Sequence, residues 1–142
     1  MYPGLLHAHS GLRWIVLLLI IINVFNALKG YAGNKAVGPM DKKLSLFALI
    51  FTHTQVLIGL GLYAISPKVQ FSSATMANSQ LRFFTMEHTL MMLIAVILIT
   101  IGHGAVKRGS FKKEFWYYFI ALVIILAAIP WPFRTMLGSG WF

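Results

Sequence analysis

The chain has 142 residues, 58% of them hydrophobic and only 11% charged, with a mean hydropathy of +0.78. A soluble domain of this length carries about a quarter charged residues, so the composition excludes an ordinary soluble fold. The absence of cysteine excludes disulfides, thiolate metal sites, covalent c-type haem attachment and a cysteine nucleophile. The net charge of +9 does not indicate nucleic-acid binding. The basic residues flank apolar runs instead of forming one patch, and that placement is what membrane topology produces.

A helix needs ~20 mostly apolar residues to cross a hydrocarbon core of ~30 Å. Four runs meet that length, and the chain predicts an all-α, up-down four-helix membrane bundle of one domain. The first run is about Leu5 to Leu28, the second Leu44 to Ile65, the third about Phe83 to Val106 and the fourth about Phe115 to Trp131, closed by Pro130 and Pro132. The first lacks a basic leader region and a cleavage site, so it reads as a retained span rather than a signal peptide. Between runs one and two lie Lys29, Lys35, Lys42 and Lys43; between three and four lie Lys107, Arg108, Lys112 and Lys113. The opposite side has only Arg13, Lys68, Arg82 and Arg134. The excess of positive charge predicts cytoplasmic basic loops, with both termini and the polar Ser66–Gln80 loop outside. Trp14, Trp116, Trp131 and Trp141 fall near span ends, as interfacial indoles do.

Few polar groups lie inside the runs, and each ionisable one is costly in hydrocarbon. They are His9, Arg13, His53, Glu87, His88 and His103, with neutral Asn23, Asn26, Thr52, Thr54 and Gln55. One reading is hydrogen bonding between helices, and the stripe Ala48, Thr52, Gln55 and Gly59 reads as a close-packing seam. The sharper reading is bis-histidine ligation of haem b, since bundles build cofactor sites from facing helices and imidazole is a common axial ligand.

Depth and helical phase sort the histidines. His9 lies 20 residues from Lys29, ~30 Å, and His88 lies 19 from Lys107, ~28 Å, so these two are level near the outer face. His53 lies ~15 Å from Lys43 and His103 ~6 Å from Lys107, a poorer match. His88 and His103 are ~60° apart around the third helix, so one interior can receive both, whereas His7 and His9 are ~200° apart and only one can point inward. His9 is the better choice because Arg13 follows at i+4 on its face. Arg13 suits bidentate pairing with a haem propionate, or is a snorkelling interface residue; Arg82 is a second candidate for the propionate. Glu87, the only acid placed inside a run, is a candidate for proton transfer at a quinol site, or an interfacial carboxylate near Arg82. Met86, Met91 and Met92 read as packing, and Gly102 and Gly104 beside His103 as points of close approach. No phosphate loop, nucleophile triad or carboxylate pair is present.

HAHSGLRW at 7–14, FTHTQVLIGL at 51–60, LRFFTMEH at 81–88 and the ending IPWPFRTMLGSGWF resemble small four-span bacterial membrane proteins labelled "cytochrome B". The histidine layout is similar to that of cytochrome b561-type quinol-linked proteins, in which one helix carries two histidines, each paired to a histidine on another helix. The resemblance implies that His88 and His103 share a helix, with His9 the outer partner and His53 the inner one. It departs from that pattern in making the third span the shared helix, in a His spacing one residue longer than usual, and in an inner pair at unequal depth. One haem on His9 and His88 is the conservative version, and a second on His53 and His103 the fuller one.

The expected function is therefore a b-type cytochrome of the bacterial inner membrane, exchanging electrons with a quinone/quinol pool. Whether that makes it a quinone-linked oxidoreductase or an electron-transfer component stays open. Lipid, quinone, and other respiratory subunits or a second copy are the expected partners. Two rivals stand beside it: a cofactor-free subunit of a larger respiratory or transport complex, and a small proton or metal transporter using His53, Gln55 and Glu87.

Overall fold

The computed structural model describes residues 1–142, and they form helices and turns with no β-strand. Helix α1 spans Tyr2–Ala32, α2 Pro39–Ile65, the one-turn helices α3 and α4 Ala74–Ala77 and Ser79–Arg82, α5 His88–Lys107 and α6 Phe111–Ala128; a π-helical turn, Phe83–Glu87, joins α4 to α5. The stretch Ser79–Lys107 is thereby one rod of 29 residues. Three rods, Tyr2–Ala32, Pro39–Ile65 and Ser79–Lys107, are long and apolar enough to cross a membrane. The 18 residues of α6 rise only ~27 Å, and Lys112, Lys113 and Glu114 occupy its first turn.

Local chemistry sets the boundaries. Pro39 opens α2 at a position where its missing N–H costs nothing, and Asp41 Oδ2 accepts a 2.8 Å bond from the Gly38 N–H just before it. Ser110 caps α6 by accepting from the Lys113 N–H. Asn78 caps α4 by accepting from Gln80 and Leu81. The expected fourth run reached Trp131, but α6 stops at Ala128. Ile129 is extended (ψ 130°), as a residue preceding proline tends to be. The polar loop expected between the second and third runs contains α3 and α4, each a single turn that an Asn and Ser-rich stretch nucleates locally.

The four long helices pack in a closed ring, α1 against α2 and α6, and α5 against α2 and α6. Val16, Leu17, Ile20, Val24, Ala95, Ile99, Tyr118, Ala121 and Ile125 form its core. Small residues let the backbones approach. A Cβ on Gly102 would stand 2.6 Å from the Tyr118 ring, and one on Gly30 would stand within the Phe111 ring's contact shell. The outward faces are apolar too: Leu18, Phe25, Phe47, Leu57, Leu90, Ile97 and Val123 are all exposed. An exposed apolar surface on every long helix suits a hydrocarbon solvent and not water.

Beyond α6 the chain turns back across the bundle end that carries the Ser66–Asn78 connection. A short 3₁₀ turn, Thr135–Leu137, ends in Gly138, whose φ of +60° is the left-handed conformation glycine adopts without strain. Trp141 stacks on Trp14 with centroids 6.1 Å apart, and Trp131 packs on both. The Trp141 carbonyl accepts from Arg13 Nη2 at 2.5 Å, and Gln80 Nε2 donates to Leu137 O at 3.0 Å. These bonds hold the tail over the helix ends.

Candidate functional site

Under that tail lies a cavity of about 220 Å³ enclosed by all four long helices. His9 and Arg13 enter it from α1, Thr52, Gln55, Gly59 and Tyr63 from α2, and His88, Thr89 and Met92 from α5. The two imidazoles meet edge to face, ring centroids 6.3 Å apart and planes at 75°. Separation along the sequence is 79 residues, so only the placement of α1 and α5 as parallel helices across the ring brings them together.

Each ring is held from a different side. His88 Nδ1 pairs with the Ala128 carbonyl at 2.8 Å. A carbonyl can only accept, so Nδ1 carries the hydrogen and Nε2 keeps its lone pair. Ala128 is the last residue of α6, and its carbonyl is free because the following turn cannot form before Pro130. Phe83 and Phe84 flank the His88 ring at 5.8 and 6.3 Å. The His9 ring sits against Gly59, where a Cβ would come within 3.0 Å of Cε1, so the glycine of the small-residue stripe leaves room for the imidazole. Gln55 Nε2 donates to the His9 carbonyl at 2.8 Å and ties α2 to α1 at that level. His9 Nδ1 is buried without a partner, as is Arg13 Nε.

The other expected site residues are placed differently. Arg82 Nε pairs with Glu87 Oε1 at 2.7 Å, both side chains are about two-fifths exposed, and neither lines the cavity. The π turn explains the pair. Its i→i+5 bonding puts residues five apart on one face, where an α-helix would separate them. His53 lies exposed on the outer face of α2, its Nδ1 bonded to the Leu49 carbonyl one turn back. His103 bonds Ser45 Oγ through Nδ1 at 3.0 Å. Ser45 is eight residues before His53 on α2, ~12 Å along the axis, so the structure does not bring His53 and His103 together. His7 is exposed.

Two groups escaped the sequence reading. Lys68 leaves the Ser66–Asn78 connection and turns inward. Its Nζ donates to Gly138 O at 2.9 Å, lies 4.9 Å over the Phe84 ring and lines the cavity mouth. Burial pushes its ammonium below the usual lysine range. Its only sequence signal was being the lone lysine on the sparsely charged side. The second is Glu114, which is 1% exposed at the opposite, basic end and has no hydrogen-bond partner on either oxygen. It sat one residue outside the fourth run and so looked like part of a solvated loop.

Outside the ring, an open groove of about 770 Å³ runs along α5 beside the Ser66–Asn78 connection. Tyr63, Phe71, Met86, Leu90 and Leu93 make its apolar wall, and Gln70 and Thr85 its polar head. Thr89 and Tyr63 line both groove and cavity, so the two are separated by a single layer of side chains. Comparison with known proteins yields no match to a family model, a curated protein or a solved structure.

Proposed function

We propose that the chain is a b-type membrane cytochrome with one haem held between His9 and His88, exchanging electrons with a quinone/quinol pool. In this reading α6 is the fourth span, its apolar stretch completed by Ile129 to Trp131, with the basic end of the bundle in the cytoplasm of a bacterial inner membrane and both termini outside. Eight of the twelve basic residues flank the basic end, which supports that orientation.

The observation that carries the proposal is the disposition of the two imidazoles. His9 and His88 would each offer one imidazole nitrogen to the haem iron, which requires their rings to lie close together across the cavity. The separation here is 6.3 Å. The His88 Nδ1–H bond to Ala128 has the second role such a ligand needs, since it fixes the tautomer that leaves the Nε2 lone pair free on a ring lining the cavity. His9 Nδ1 is buried without a partner, and a bound group is what would relieve it. Arg13 and Lys68 at the mouth supply two cations for carboxylate groups, the role the sequence assigned to Arg13 and Arg82. Haem contributes the one-electron chemistry. The chain's own residues ligate, orient the ligands, exclude water with the tail and hold an apolar shell of Val16, Leu17, Ala95 and Ile125.

The proposal is confined to one haem, because His53 faces outward and His103 is engaged by Ser45. The groove beside Thr89 supports the quinone part: an apolar trough with a polar head, open to the lipid side, suits a prenylated ring. Glu87 stands at the same end, paired to Arg82.

The test is the visible spectrum of protein purified from haem-replete cells, with haem counted per chain. A Soret band, a sharp α-band on reduction and about one haem per chain are expected. His9→Ala and His88→Ala should each abolish haem retention, while His53→Ala and His103→Ala leave it intact. Colourless wild-type protein, or unchanged haem content in both outer variants, would overturn the reading.

A further inference from the structure

At the basic end the bundle holds a second polar cluster, remote from His9 and His88 and unused by electron transfer. Ser45 of α2 is its centre. Its Oγ lies 3.0 Å from His103 Nδ1 on α5 and 2.8 Å from Tyr118 Oη on α6. Ser45 is completely buried, as is Tyr118, whereas His103 is half-buried and opens towards the basic loops. Glu114, one turn before Tyr118 on α6, faces Ser45 and Asp41 of α2 and is 1% exposed, with both oxygens unpartnered.

A buried carboxylate with no donor on either oxygen is among the most costly arrangements a bundle can contain. Asp41 worsens it. That carboxylate is already held by Asn26 Nδ2 and the Gly38 N–H, each at 2.8 Å, and adds a like charge. The charge that acts on Glu114 is Asp41, with no compensating cation, whereas Lys107 acts on His103. Glu114 is therefore stable there only with a proton on it, and a neutral carboxyl needs one acceptor.

The Ser45 hydroxyl has one hydrogen and two lone pairs. Either hydroxyl can donate in the Ser45–Tyr118 pair, and the Tyr118 hydroxyl also reaches the Ser45 carbonyl at 3.4 Å; in one arrangement Tyr118 donates to Ser45 Oγ and Ser45 donates to His103 Nδ1. The second lone pair is left for a carboxyl hydrogen, which Glu114, unbonded in this structure, would supply by turning about its soft terminal torsion. The opposite arrangement is equally complete: imidazolium Nδ1–H donates to Ser45 Oγ, and Ser45 donates to the Glu114 carboxylate. The two arrangements differ only by the shift of two hydrogens along one line.

We propose that Glu114, Ser45 and His103 form a proton relay that loads a carboxyl inside the bundle from the basic end. In the loading direction the imidazolium gives its Nδ1 proton to Ser45 Oγ while the serine hydrogen passes to a Glu114 oxygen, leaving neutral imidazole and neutral carboxyl. His103 regains a proton from water at the basic end. Unloading reverses each transfer, and no other reactant is required. Tyr118 positions the serine and does not itself change protonation. The relay stands whether or not haem is bound.

Infrared spectra of the full chain in lipid nanodiscs test this directly. The wild type should show the C=O stretch of a protonated carboxyl at neutral pH, missing in Glu114→Gln, and the stretch should shift promptly on transfer to D2O. At neutral pH, nitrogen NMR of labelled histidine should show His103 neutral while the stretch is present, which is the pair of states the loading step leaves behind. Ser45→Ala should keep the stretch and slow its deuterium exchange by roughly tenfold or more, as loss of about one hydrogen bond from a transfer barrier implies. Tyr118→Phe should leave the exchange rate close to that of the wild type. A wild-type spectrum without a Glu114-dependent carboxyl stretch, a stretch that exchanges only on global unfolding, or a Ser45→Ala variant that exchanges as fast as the wild type would each overturn the relay. The second of these needs no variant.

Discussion

Replacing Gly102 with alanine sets two effects of opposite sign against each other. Alanine is the better helix former, by up to ~1 kcal/mol in a helix interior. Against that, the added Cβ would stand 2.6 and 2.7 Å from Cδ1 and Cε1 of Tyr118 and 3.1 Å from Cβ of Tyr117. Carbon atoms in contact sit ~3.5–4.0 Å apart, so the Tyr118 ring must retreat by ~1 Å. It has nowhere to go, being fully buried in the core cluster, and its Oη is bonded to Ser45 at 2.8 Å. Overpacking of this kind costs ~1–3 kcal/mol, and stretching the hydroxyl bond beyond range costs about 1 kcal/mol more. Clash and lost bond together outweigh propensity, and a net destabilisation of about 1–3 kcal/mol is expected. Denaturant or thermal unfolding in micelles, followed by far-ultraviolet circular dichroism, measures it. Gly61→Ala is the matched control, because a Cβ there meets nothing within 4 Å, and it should be neutral or slightly stabilising. If Gly102→Ala were as stable as the wild type, the close α5–α6 approach described here would be wrong.

Further outcomes follow from individual side chains. Asn23 is fully buried, donates to Leu19 O at 2.8 Å and Leu44 O at 3.2 Å, and leaves its own oxygen unpartnered. Interhelical bonds of this sort average only ~0.6 kcal/mol in a membrane protein, so Asn23→Leu should be near neutral in the same unfolding assay. A loss above ~2 kcal/mol would show that the bond dominates over the orphaned oxygen. Arg82 and Glu87 form an exposed pair, so Arg82→Ala should change stability by under ~1 kcal/mol and leave haem content at the wild-type level. Arg13→Ala should instead lower both, since Arg13 ties the tail to α1 and lines the cavity. Equal haem loss in the two arginine variants would contradict their separate placement.

The histidines mark how far reading along the chain can go. Residue counts from the basic edges put His9 and His88 at one depth, because helix rise is uniform and positive charge marks one end of each rod. The same counts left His53 and His103 about 9 Å apart in depth, and the structure keeps them apart, with His53 on the outside of α2. Arg82 was legible in part: the reading of Glu87 as an interfacial carboxylate near Arg82 agrees with their ion pair, but the direct contact depends on a π turn, which changes the residue spacing of one face and has no clear signature in composition.

Apolar run length, clustered lysines and the absence of cysteine were enough to determine a helical chain with membrane-crossing rods and a short list of ionisable residues inside them. Those properties are local: they depend on backbone satisfaction in an apolar solvent and on rise per residue, which neighbours do not alter. Which faces meet is not local. The Ala128 carbonyl that orients His88, the tail that brings Lys68 and Trp141 over the cavity, and the burial of Glu114 beside Ser45 each join segments far apart in sequence. Glu114 looked like a loop residue because it follows two lysines. Only the packing of α6 against α1 and α5, which brings it across the ring from Ser45 of α2, turned its side chain away from them and into the bundle.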